Sequence, residues 1–599
     1  MDEQALRELL NEVKAGRVSR RAFVQTMVGL GLTVPLAAQM LASAGIAHAQ
    51  PKPMAGPAKR GGGGALKVLW WQSPTLLNPH FAVGTKDQDG SRIFYEPLAA
   101  FDPDGNIIPI LAAEVPTMQN GGLSKDGKSV TWRLKKNVQW HDGKPFTADD
   151  VVFNWEYAAD KAAAATTIGN YEDIERIDKP DSHTVKIFFK NPKPFWAEAF
   201  CAVTGMIIPK HMFQAYRGDK SREAPANLKP VGTGPYRFVD FKPGDLVRAE
   251  LNPHYHRPNA PFFDQLEMKG GGDAVSAARA VIQTGEYDFA WNLQVEDEIL
   301  RRMEQQGGRG KVDIAVAGNP EHIQCNQTDP WTEVEGERSS IKTKHPFLTD
   351  PPVRQALNLL VDRASIQEQI YGRLGQSSAN FLNAPSRFHS KNTKWEFNIE
   401  KANQILDQAG WKRGGDGVRA KDGKRLKVVY QTSINAPRQK TQAIVKQACA
   451  KAGIEVEIKS VVASVYFSSD VGNPDTYRKF YTDIQMYTTT MGAPDPQTFM
   501  RQFLSNEIAA KDNKWQGRNI TRWKNAEYDR IFAASETELD PVKRAALFVK
   551  MNDMVIQDVV VIPVLWRSVI SAVSNKLKNT EITGWDSNLW NLANWTREA

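Results

Sequence analysis

The sequence predicts an α/β protein of more than one lobe, and three observations predict it. About 535 residues follow position 64, more than one hydrophobic core accommodates and enough for two or three lobes. Strand-like and helix-like stretches alternate along them, as where a helical pattern over 438–450 leads into a β-branched strand over 454–461. With 41% hydrophobic and 24% charged residues, the composition is that of an ordinary globular chain.

The first 64 residues read differently. Ser19-Arg20-Arg21-Ala22-Phe23-Val24-Gln25 resembles a twin-arginine export motif. An apolar stretch over 27–44 follows, too short and too rich in Gly and Pro for a permanent membrane span. Ala47-His48-Ala49 gives the small-x-small pattern of a cleavage site, so 1–49 reads as a signal segment cut after Ala49. Residues 50–64, rich in Pro, Gly and Lys, read as a flexible tether. The glycine run at 61–64 is no phosphate loop, because no strand precedes it and no Gly-Lys-Ser/Thr follows.

Net charge is +8, but the basic residues are scattered, and no basic stripe suggests a nucleic-acid partner. Cys201, Cys325 and Cys449 lie far apart with no paired spacing. That excludes a zinc ribbon and predicts buried free thiols rather than a disulfide scaffold.

The elements then follow in order. Residues 66–71 form a first strand. A strand over 131–134 enters a turn at Asp142-Gly143; Thr147 caps the next helix, with Asp149 and Asp150 in its first turn. Gly232-Thr233-Gly234-Pro235 bends the chain before a strand at 236–241, and backbone permissiveness explains the glycines. Val353, Leu357 and Leu360 share one face of a helix. Gly410 ends a helix that runs from Lys401, and Asp540-Pro541 opens the last one, which leads into a strand at 559–566.

Several of these stretches carry a resemblance. Trp140, Asp142, Gly143, Pro145, Thr147, Ala148, Asp150 and Val151 stand in the order of a signature of the extracytoplasmic solute-binding proteins of family 5, which serve peptide- and nickel-type ABC importers. Gly232-Thr233-Gly234-Pro235-Tyr236, Gly285-Glu286-Tyr287-Asp288, Val353-Arg354-Gln355-Ala356-Leu357 and Ile562-Pro563 resemble further family motifs. The resemblance implies a two-lobe, type II periplasmic-binding-protein fold with an extra subdomain. Lobe I would span 65–320 with its subdomain at about 107–230, lobe II 321–530, and 531–599 would return to lobe I. It implies a monomer that captures a peptide or sugar- or opine-like solute by lobe closure and hands it to an inner-membrane ABC permease, without chemistry, cofactor or metal of its own.

The same resemblance places the ligand between the lobes. It implies a lining of Trp291 and Asn292, Tyr466 and Phe467, Trp566 and Arg567, and a loop carrying Tyr487, Thr490 and Gly492. Taken by themselves, these aromatics fit ordinary core. One departure stands out: peptide-binding members carry an Asp where this chain has Gly492, and the nearby Asp495 reads as structural. An α-amino group entering a dry cleft would lack its counter-charge there. Two other classes stay open. A metal-chelate or haem carrier would draw on His322, whereas His254 and His256 alone make a weak metal pair. An exported hydrolase finds no Gly-x-Ser-x-Gly, His-Glu-x-x-His or Ser/Lys motif.

Overall fold

The structure, a computed structural model, describes residues 3–15, 17–18, 23, 56–103, 105–384 and 388–598. Arg20-Arg21, the apolar stretch and Ala47-His48-Ala49 lie outside the described residues. No described helix is long and apolar enough to cross a membrane.

Two long antiparallel strands, Gly310–Cys325 and Val561–Ser574, form the spine. Gly310 to Ala315 faces Val569 to Ser574, and Asn319 to Gln324 faces Arg567 to Val561; the register shifts between Ala315 and Asn319 and again at Glu321/His322. Beyond one end of this pair lie Phe289–Ala290, Ala65–Leu69, Gln265–Lys269, Leu246–Leu251 and Tyr236–Lys242. Beyond the other lie Ile484–Thr488, Lys427–Ser433 and Glu455–Val461. One 11-stranded sheet is thus shared between two lobes, and two chain crossings join them.

Local sequence explains the pieces. Lys427–Ser433 and Glu455–Val461 pair in parallel through the helix Ala436–Lys451, a right-sized crossover. Asn435 caps that helix by accepting from Arg438 N, and Pro437 stands in its first turn, where a missing N–H costs nothing. In the subdomain, Ala148–Ala159 packs on a sheet of Ser129–Arg133, Thr184–Phe189 and Ile174–Asp181. Its Thr147 and Asp150 form a reciprocal capping box, as the sequence suggests. Val353, Leu357 and Leu360 are buried in the second-lobe core. The three cysteines are free and buried.

Three expectations change. Neither Gly232 nor Gly234 has a positive φ. A Cβ at either position would instead meet Phe94 O, at 1.8 and 2.7 Å, so close approach of two backbones requires the glycines. Residues 56–64 are not a free tether. The Gly62 and Gly64 N–H groups both donate to the Asp264 carboxylate at 2.8 Å, Gly61 N to Pro261 O at 2.9 Å, and Arg60 to the carbonyls of Tyr255 and Arg257. A glycine run exposes N–H groups without side chains in the way, and one carboxylate gathers two of them. Finally, residues 559–566 do not lie wholly in the first lobe. Val560 and Val561 pack in the core that contains the first-lobe strands, but Val559, Ile562, Val564 and Leu565 pack in the second core, and pairing with Phe289–Ala290 comes only further along, at Ala572 and Val573.

Candidate functional site

Where the two long strands pass from lobe to lobe, a cavity of about 300 Å³ opens between them. That is the small end of ligand-site volumes, suited to one compact solute.

Its first-lobe wall is aromatic. Trp291 follows the short strand Phe289–Ala290 and stacks on Trp70, with centroids 5.7 Å apart and planes 3° apart. Trp70 is fixed in turn by its Nε1–H, which donates to Asp89 at 3.2 Å. Asn292 adopts a left-handed φ of 53°, and its carbonyl accepts from Trp71 Nε1 at 3.0 Å. The second-lobe wall comes from Tyr487 and Thr488 at the end of Ile484–Thr488, from the loop through Gly492, and from Phe467 and Tyr477. Tyr477 packs against both Phe467 and Tyr487, at 5.5 and 4.9 Å.

Of the residues singled out in the sequence, Trp291, Asn292, Phe467, Tyr487, Thr490, Gly492 and Arg567 line this cavity. Tyr466 and Trp566 do not. Tyr466 is fully buried in the second lobe, where its hydroxyl donates to Gln485 Oε1 at 3.2 Å. Trp566 sits opposite Pro320 and Gln376 in the sheet. Side chains alternate along a strand, so with Arg567 facing the cleft, its neighbour must face away. His322 also lies outside the cavity: its ring is enclosed by Phe381 and Tyr487, its Nδ1 is 3.1 Å from Pro320 O, and burial pushes its pKa down to about 4. Among the described residues, no group of three or more His, Cys, Asp or Glu is placed to hold a metal ion.

At the waist, Glu321 organises a buried network. Arg438 Nε donates to Glu321 Oε1 at 2.6 Å, and Arg438 Nη2 and Arg567 Nη1 both reach Thr488 Oγ1 at 3.0 Å. Arg567 lies 3.7 Å from the same carboxylate. With its amide turned, the Gln294 side-chain oxygen accepts from Arg438 at 3.2 Å and from Arg567 at 2.8 Å. Burial alone would raise the Glu321 pKa, but Arg438 and Arg567 hold it below the usual carboxylate range.

The acids of the lining itself are also engaged. Asp495 is gripped by Arg544 through both guanidinium ends, one at 2.9 Å, and accepts from Gln497 N at 3.0 Å. Glu198 lies 3.1 Å from Lys193 Nζ. Asp586 accepts from the backbone N–H groups of Phe101 (3.1 Å) and Ser587 (2.7 Å), and burial pushes its pKa up to about 6. Glu198, residues 201–204, 583–584 and 586–588, like Arg478 and Arg518, entered the lining with no motif to announce them. They are brought in from loops far apart in the chain, and composition gives no trace of that.

A family model described as bacterial extracellular solute-binding proteins, family 5 Middle, matches residues 106–511. The chain is 28% identical over 486 residues to the oligopeptide-binding protein AppA of Bacillus subtilis, covering 80% of this chain and 81% of AppA. The solved structure of AppA with a nonapeptide superposes with a TM-score of 0.77 at 24% identity, over 90% of this chain and 100% of that one. NikZ of Campylobacter jejuni in complex with Ni(L-His) does so with a TM-score of 0.75 at 22% identity, over 89% and 99%. These likenesses extend through both lobes, and the matched region includes the Trp140–Val151 signature and most of the cleft. This chain belongs to the bacterial extracellular solute-binding proteins of family 5.

Proposed function

We propose that this protein is the substrate-binding component of an ABC importer, capturing a small polar solute that lacks a free α-amino group and handing it to an inner-membrane permease. The observation that carries the reading is the cavity at the crossing of the two long strands, with an aromatic wall from each lobe. A solute there touches both lobes at once, so binding energy goes into holding them together, and a closed pair of lobes is what a permease can distinguish from an open one.

The ligand class follows from charge. Gly492 offers no carboxylate, and Asp495 is already neutralised by Arg544. A peptide's ammonium would find no free counter-charge on this side of the cleft. The same engagement of Glu321, Asp495 and Glu198 leaves no pair of carboxyl groups set for acid–base work, which supports binding without chemistry. His322, enclosed by aromatics, supports a solute other than a metal complex. The protein acts as a monomer in the periplasm, exported by the twin-arginine route and cut after Ala49. Replacing Arg20 and Arg21 by Lys leaves precursor in the cytoplasm; undiminished export of that variant overturns this route.

The ligand is tested by native mass spectrometry of protein purified from its own host and by calorimetry with di- to pentapeptides, their N-acetylated forms, oligosaccharides and opines. A solute without free amino group is expected, bound about tenfold or more weakly by Trp291→Ala. Tight binding of free peptides that is lost on acetylation overturns the reading.

A further inference from the structure

Two cations on the second-lobe side of the cavity have no carboxylate partner among the described residues. Arg478 and Arg518 both line it, and neither takes part in an ion pair among the described residues. The other cationic side chains of the lining are matched: Lys86 by Asp87 at 2.6 Å, Arg438 and Arg567 by Glu321. Each unmatched guanidinium spends one N–H on a backbone carbonyl, Arg478 on Gln516 O at 3.2 Å and Arg518 on Thr498 O at 2.9 Å. A guanidinium has five N–H groups, so most of their donor capacity is unused. Arg478 Nε and the hydroxyl of Thr498, another lining residue, are shut off from solvent without a hydrogen-bond partner. From the first lobe, Arg222 adds a third cation beside the same rim. It lies 4.1 Å over the Phe81 ring, next to Ala82, Val83 and Gly84 of the lining, and its Nε and Nη2 are likewise unpartnered. Burial first, and the Arg478 charge second, push its pKa down to about 10.

Such an arrangement opposes lobe closure unless something negative enters, because like charges brought together out of water repel strongly. Of the acids in the lining, Asp586 too has no ion pair among the described residues; two backbone N–H groups hold it. Set against the two guanidiniums, that one carboxylate leaves the unpaired charge of the lining net positive.

We propose that the solute carries an anionic group, a carboxylate or a phosphate, seated between Arg478 and Arg518. This rests on the reading of the cavity as the solute site and names the class of solute it takes. The two guanidiniums offer planar forks that match carboxylate and phosphate oxygens, and Thr498 adds a hydroxyl donor. Closure brings Arg222 toward the same group, so the anion that binds the second lobe also removes the repulsion that keeps the first lobe away.

The test uses matched pairs that differ only in charge: N-acetyl-dipeptides against their C-terminal amides, and galacturonate against galactose, with inorganic sulfate and citrate as minimal anions in thermal-shift titrations. The acid of any pair that binds is expected to bind about tenfold to a hundredfold more tightly than its neutral counterpart. Arg478→Gln and Arg518→Gln should each remove most of that preference, and Arg478→Lys should retain part of it. Stabilisation by sulfate or citrate should vanish in the double Gln variant but persist in Arg425→Gln, an exposed arginine on a distant hairpin. A neutral solute bound as tightly as its acid overturns the proposal, as does anion stabilisation that is absent from the native protein or survives the double variant. The underlying reading fails separately: an acid preference that Arg478→Gln removes while Trp291→Ala and Phe467→Ala leave affinity unchanged would place the solute outside the aromatic cavity.

Discussion

Arg438 and Arg567 line the same cleft as Arg478 and Arg518, and the two pairs are built on opposite terms. The first pair is answered inside the protein. Glu321, Thr488, Ser433 and Gln294 take up its donors, and it ties the crossing strands to the helix that starts at Ala436. The second pair is answered by a backbone carbonyl each and by no carboxylate. A buried charge that the fold has paired belongs to the architecture, because removing its partner leaves an ion stranded in low dielectric. A charge the fold has left unpaired in a cavity costs stability until a ligand arrives, and that cost is what makes it selective.

Breaking the first pair should give the largest effect. Glu321→Gln leaves Arg438 and Arg567 buried beside a neutral amide, and uncompensated buried charge costs about 3–5 kcal/mol. Denaturant unfolding should show a loss of that order, whereas Arg478→Gln should change stability by no more than about 0.5 kcal/mol in either direction. Equal losses in the two variants would erase the contrast.

This contrast was only half legible in the sequence, and the reason is range. Thr147 with Asp150, and Asn435 with Pro437, act within one helical turn, so their neighbours in the chain announce them. Val353, Leu357 and Leu360 declare a buried face by their spacing. The cleft candidates needed a phase as well as a position. Trp566 and Arg567 are adjacent on one strand, and only the sheet decides which of them faces the solute. Tyr466 and Phe467 divide in the same way at the end of a short helix. The strand's continuation to Ser574, across the waist, depends on its partner Gly310–Cys325 rather than on its own composition. Arg478 and Arg518 sit in irregular segments 40 residues apart, and nothing short of folding could bring both to one cavity.

A third change sharpens the comparison by supplying the missing carboxylate. A Cβ at position 492 would meet only Val203 Cγ2, at 3.6 Å, an ordinary contact, and the backbone there has no positive φ. Gly492→Asp is therefore expected to fold normally. Its new charge should weaken an anionic solute about tenfold and favour peptides with a free amino group to a similar degree, both read by calorimetry. An unchanged order of preference would mean that position 492 does not face the solute.

The last comparison concerns a carboxylate that the fold buries with neutral donors instead of cations. Asp89 accepts from Ser587 Oγ and from Trp70 Nε1, and so steadies the indole on which Trp291 stacks. Burial pushes its pKa up to about 7, against those hydrogen bonds and with a further push from Asp586. In the unfolded chain the same group titrates near 3.8. Between about pH 4 and pH 7 the folded protein thus holds a proton that the unfolded chain has released, so this group's contribution to stability falls as pH rises through that window and levels off above 7. Asp89→Asn removes the titration while keeping a side chain that can accept from Trp70. Melting temperatures measured from pH 4 to pH 8 should show the wild type losing ground to Asp89→Asn up to about pH 7 and holding level beyond it. If the difference between the two proteins does not vary with pH, Asp89 is ionised throughout, and the support of Trp291 then rests on a buried charge like that of Glu321 rather than on a neutral acid.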